Sequence, residues 1–147
     1  MKLAQSLALI ITGSASFFIP FALADIIIAQ VQVVDHKVPA ALRACASNNN
    51  NCECFEGGHG AKEVTVNGTG VGSLPESGFF SVEPGLCGSG LKYNFIRNDD
   101  GSYDFYVDGG DGISKGTCLP NTNQTTCPNV DTKIYDQLFC KSDICNA

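Results

Sequence analysis

Ser114 sits in Gly112-Ile113-Ser114-Lys115-Gly116, which fits the G-x-S-x-G pattern of a nucleophile elbow. An elbow serine needs a strand–turn–helix beneath it and a histidine that follows it in the chain. Both histidines, His36 and His59, precede Ser114, so the match is read as accidental. Cys52-Glu53-Cys54 with nearby His59 has the crowding of a metal site. Zinc binds thiolates, which oxidised cysteines do not offer. Asp99, Asp100, Asp104, Asp108 and Asp111 carry the oxygen ligands that calcium takes. Their spacing departs from the D-x-[DN]-x-[DN]-G loop, and two turns account for them. No metal or other cofactor is expected.

His36, His59, the glutamates and Arg97 also bear on small secreted ribonucleases of the T1 type, whose second histidine lies near the chain end. Nothing follows His59 here to fill that role. Sugar binding usually stacks rings on exposed aromatics; there is no Trp, and Tyr93 and Tyr106 are the candidates. No set of residues supplies a nucleophile, a base and oxyanion donors together. No catalytic residue is assigned, and binding outranks enzymology. The expected partner is an extracellular macromolecule, a protein or a glycan.

The compartment follows from the chain's start and its cysteines. Lys2 is followed by an uncharged, largely apolar run that ends in Ala22-Leu23-Ala24. A basic start, an apolar middle and an A-x-A end make a signal peptide over residues 1–24, with cleavage before Asp25. Residues 25–147 are then a single extracellular domain. All 8 cysteines fall within it: Cys45, Cys52, Cys54, Cys87, Cys118, Cys127, Cys140 and Cys145. An even count in a secreted chain implies disulfides, and sequence does not choose among the pairings. Cys52 and Cys54 are too close to pair comfortably with each other, so they are expected to reach two different partners. Asn67-Gly68-Thr69 and Asn123-Gln124-Thr125 are sequons in loop-like surroundings, which makes Asn67 and Asn123 the candidate glycosylation sites. The formal net charge of −6 argues against nucleic acid and anionic lipid as partners. No membrane insertion is expected, and the domain is expected to be a monomer.

These residues must be held by a strand-rich frame. Ile26 to Val34 reads as a strand, with Gln and Val alternating at its end. Pro39 to Ala44 reads as a short helix on propensity. Glu63 to Val66 and Phe79 to Val82 read as short strands. Residues 91–107 read as a hairpin turning at Asp100-Gly101. Thr132 to Phe139 reads as a helix, because Ile134, Tyr135, Leu138 and Phe139 could form one stripe. The expected class is α+β: a small, disulfide-stabilised antiparallel sheet with one or two short helices.

With a 24-residue leader, eight cysteines, Gly/Asn-rich loops and acidic charge, the chain resembles the small cysteine-rich secreted proteins of filamentous fungi. Host-interaction effectors and antifungal toxins are drawn from that pool. The resemblance implies a virulence-related effector that acts by binding. An antimicrobial or killer-type toxin and a small secreted hydrolase or carbohydrate-binding protein are the alternatives. Acidic charge weighs against a membrane-active toxin. Intact-mass measurement of the secreted protein is expected to give a chain starting at Asp25, after removal of any glycan, and a gain of one hydrogen for each of the 8 cysteines on reduction. A retained leader or a free thiol would overturn the compartment.

Overall fold

The computed structural model of the chain describes residues 25–34, 39–46, 52–56, 60–128 and 131–145. The expected signal peptide at 1–24, His36 and His59 lie outside the described residues. The strands are β1 (Ile26–Val33), β2 (Ala41–Ala46), β3 (Lys62–Val66), β4 (Thr69–Gly70), β5 (Phe79–Val82), β6 (Tyr93–Arg97), β7 (Tyr103–Val107), β8 (Gly116–Pro120), β9 (Gln124–Cys127) and β10 (Thr132–Ser142). One short helix, α1 (Cys52–Glu56), and a 3-10 turn at Leu86–Gly88 complete the described elements.

Strand order follows chain order, β1-β2-β3-β5-β6-β7-β8-β10, and β10 then pairs back onto β1. The result is a closed, eight-stranded, antiparallel up-and-down barrel. The expected α+β class is therefore wrong. Both expected helices, at 39–44 and 132–139, are strands. In β2, Leu42 and Ala44 face the barrel interior while Cys45 packs into a second cluster outside, so the segment is apolar on both faces and shows no alternation. Helix propensity yields to that two-sided burial. In β10 the cause is a bulge. Ile28 lies opposite Leu138, but Ala29 lies opposite Asp136, which leaves Gln137 as an extra residue. Leu138 and Cys140 belong to the interior cluster, whereas Ile134 belongs to the outer one. One inserted residue exchanges the faces of a strand. That exchange produced the spacing read as a helical stripe.

The hairpin of β6 and β7 pairs Phe95 with Phe105 and Tyr93 with Val107. Its inward face supplies much of the core. Phe95 stacks on Phe80 and on Phe105, with ring centroids 4.8 Å away in both cases. Tyr103 and Tyr93 flank this column at tilted and edge-on angles. Gly116 lies opposite Phe105, and a β-carbon there would strike the Phe105 ring and the Lys141 carbonyl. The column thus needs glycine at that position. An eight-stranded barrel is just wide enough to be filled by side chains or to hold one small ligand. Here the side chains fill it.

Both ends of the barrel are covered. At the first end, Val71 and Leu74 pack on the core, and Gln30 Nε2 donates to the Gly72 carbonyl at 2.6 Å. At the other end, Leu86, Cys87, Ile144 and Cys145 pack on it. Cys87–Cys145 ties the two segments of that second plug together. Outside the barrel, α1 lays Phe55 over Ile27, Ala29 and Ile134. Cys45–Cys54 and Cys52–Cys127 fasten this helix to β2 and β9. Cys118–Cys140 joins directly opposed residues of β8 and β10. Four disulfides are typical of extracellular proteins. No helix among the described residues is long and apolar enough to cross a membrane.

Phe95→Ala removes the ring at the middle of the column. It is expected to cost about 3–5 kcal/mol, because neighbours on closed strands cannot collapse into the space. Chemical denaturation measures the loss, and a loss below about 1 kcal/mol would mean that the column is not the core.

Candidate functional site

The hollow that brings polar and aromatic side chains together lies at the first end of the barrel. Its shape follows from strand lengths. Leu138 lies opposite Pro120 near the end of β8, yet β10 begins six residues earlier at Thr132. That overhang pairs with β1 on one edge and β9 on the other. Together they form a three-stranded ribbon beyond the barrel wall. The groove runs between this ribbon, the 74–76 segment and the start of β7, and has a volume of about 560 Å3.

Register sets the ribbon's chemistry. Tyr135 lies between Gln30 on β1 and Gln124 on β9, and Lys133 lies between Gln32 and Thr126. These side chains form two polar rows. Apolar Val31 and Ile134 pack on the opposite face, against the α1 layer. Residues 121–123, which connect β8 to β9, lie outside the strands but stay tied to β10. The Asn121 N–H donates to the Gln137 carbonyl at 3.0 Å, and the Asp136 N–H donates to the Asn123 carbonyl at 2.9 Å.

Asp136 is the unusual group. It is 3% exposed, lines the groove, and accepts a 3.0 Å hydrogen bond from Asn121 Nδ2. Burial pushes its carboxyl above the ordinary aspartate range. Across the groove, Arg97 lies opposite Tyr103 in the hairpin, and its guanidinium donates to the Glu76 carbonyl. The Tyr103 hydroxyl donates to the Pro75 carbonyl at 3.4 Å. Burial raises the Tyr103 phenol, and the Arg97 charge opposes that rise. The groove therefore offers amides, phenols, one guanidinium and carboxyls above an apolar floor. Such a mix orients a polar ligand by hydrogen bonds.

The residues singled out in sequence fall in several places. All eight cysteines are in disulfides, and Cys52 and Cys54 do reach two different partners. Among the described residues, no group of His, Cys, Asp and Glu could hold a metal ion. Four of the five acids serve the scaffold, and Asp99 is exposed in the hairpin turn. Asp100 accepts from the Ser102 hydroxyl and N–H, which hold it below its ordinary value. Asp104 accepts from Thr117 and Asn98, Asp108 from Asn94, and Asp111 from the Ile113 N–H. Ser114 lies in the loop before β8, and its hydroxyl donates to the Gly116 carbonyl at 3.1 Å. Tyr93 is buried, with its hydroxyl 3.1 Å from Ser89 Oγ. Tyr106 is half-buried on the outer wall. Asn67 and Gly68, both at positive φ, make the two-residue turn between β3 and β4, a geometry that Asn-Gly favours. Asn123 lines the groove.

The sequence reading missed Tyr135, Asp136, Asn121 and Gln124 as site residues. One signal was present: Asp136 interrupts the apolar positions Ile134 and Leu138. No family model, curated protein or solved structure matches this chain.

A raised carboxyl pKa means that the folded protein favours the protonated form, so this contribution to stability is present at low pH and lost as pH rises through the folded value. Asp136→Asn removes the term and keeps an oxygen that accepts from Asn121. It is expected to exceed wild type in stability near pH 7, with the difference closing near pH 3, below the usual carboxylate range. Melting temperatures across that interval test this. A variant less stable than wild type at neutral pH, by a margin that shrinks as pH falls, would show that the ionised carboxylate is favoured.

Proposed function

We propose that this protein is secreted with residues 1–24 as its signal peptide and acts outside the cell by binding, as an effector-type interaction protein. The groove beside the β1–β10–β9 ribbon is its contact surface. One observation carries this reading: the barrel interior is filled by the Phe80–Phe95–Phe105 column, so a ligand must be met at the surface. The groove is where phenol, amide and guanidinium groups converge over an apolar base. The four disulfides support an extracellular setting and a rigid frame, which lowers the ordering cost of association.

The ligand class that fits is a polar extracellular macromolecule, a protein segment or a glycan. The buried Asp136 carboxyl and Glu76, which both line the groove, give a second reading, a small carbohydrate-active hydrolase, something to stand on. Paired carboxyls in unlike environments are how such acids divide their roles.

The test is to display the secreted protein to an oligosaccharide array and a panel of cell-surface proteins, then repeat with variants. Tyr135→Ala and Gln124→Ala are expected to weaken whatever is bound by about tenfold or more. Ile113→Ala, in the loop before β8 and outside the groove, is expected to leave binding unchanged. Equal binding by groove variants and wild type would remove the groove from the proposal. Turnover of a bound oligosaccharide, abolished by Asp136→Asn, would move the protein to the hydrolase reading.

A further inference from the structure

Asn123 is both the acceptor of a sequon and a wall of the groove. The other sequon has no such position. Asn67 occupies the tip of the β3–β4 turn, is exposed, and does not line the groove. A chain attached there starts from an exposed turn tip outside the groove. A chain attached to Asn123 starts against the ribbon.

We infer that Asn123 is an N-glycosylation site whose innermost sugars lie in the groove, so that glycosylation controls access to it. The inference rests on the groove being the contact surface and names how that surface is regulated. Three features support it. The first is accessibility. Asn123 is exposed and belongs to a connection outside the strands, where an acceptor can be reached. The second is fixed direction. Hydrogen bonds from the Asp136 N–H to the Asn123 carbonyl and from the Asn121 N–H to the Gln137 carbonyl hold the connection to β10. An attached sugar therefore leaves from a constrained backbone. The third is chemistry. The next residues along the wall are Gln124, Tyr135 and Gln137. A phenol face and amide groups match the apolar faces and hydroxyls of sugar rings. A volume of about 560 Å3 lies in the range that holds small ligands, so the first sugars fit and the distal ones reach solvent.

The experiment uses the full chain secreted from a eukaryotic host, alongside Asn123→Gln and Asn67→Gln. Glycopeptide mass spectrometry reads occupancy at each sequon. Hydroxyl-radical footprinting reads the accessibility of Tyr135, which requires no ligand. The expected result is occupancy at Asn123, with Tyr135 labelled several-fold more strongly in Asn123→Gln and at the wild-type level in Asn67→Gln. An unoccupied Asn123 in the secreted protein overturns the inference. So does an occupied Asn123 with Tyr135 labelled equally in wild type and Asn123→Gln. The two readings fail separately. If unglycosylated protein binds nothing while Tyr135 protection still follows the Asn123 glycan, the contact-surface proposal falls and the seat of the glycan stands.

Discussion

Pairing of β1 with β10 along all eight residues of β1 is the constraint on which the rest of the molecule depends. Once those strands meet, the sheet has no open edge around the barrel, and its interior has a fixed girth. A fixed girth must be filled to native density, since interiors tolerate few voids. The three stacked phenylalanines meet that requirement, and Gly116 gives up its side chain so that Phe105 can lie against the strand. The aromatic column and the glycine are therefore consequences of closure.

Closure also divides the labour between packing and cross-links. The interior cluster is held by hydrophobic burial, with the Cys118–Cys140 bridge inside it. The outer cluster under α1 is smaller and includes Cys45 and Cys127. A five-residue helix has no independent stability, because nucleating a helix is unfavourable and short ones are marginal. Its two disulfides hold it where burial alone is thin. The plug at Leu86–Gly88 repeats the arrangement, with the Cys87–Cys145 bridge tying a short turn to the chain beyond β10. Each bridge of this kind typically contributes about 2–4 kcal/mol, mainly by restricting the unfolded chain.

The parts of the fold that were legible in the sequence are those with one wet face. The β6–β7 hairpin alternates because its outer residues, such as Asn94 and Asp104, meet solvent or polar neighbours. β1 was legible for its β-branched opening. β2 was not, because it buries residues on both faces and shows no alternation to read, and β10 was not, because Tyr135 and Phe139 stand between its buried positions and extend the apolar pattern. The bulge at Gln137 made matters worse by placing Ile134 and Leu138 on different faces. The groove shared that obscurity. Its ribbon exists because β10 outruns β8, and relative strand length is a property of pairing that no single segment displays. Of the groove residues, Asn123 stood out in the sequence for its sequon and Arg97 as a ribonuclease-type residue, and neither signal points to a hollow.

The register of β1 and β10 has a geometric consequence for how the molecule can be tethered. Ile26 lies across from Cys140, so the start of β1 and the close of β10 emerge side by side. They do so at the end plugged by Leu86 and Ile144, the end away from the ribbon. The chain thus enters β1 and leaves β10 on the side remote from the groove. A fusion partner, a surface anchor or a bead coupled at either point would present the groove outward, and a short peptide joining the two would permute the chain without spanning the mouth.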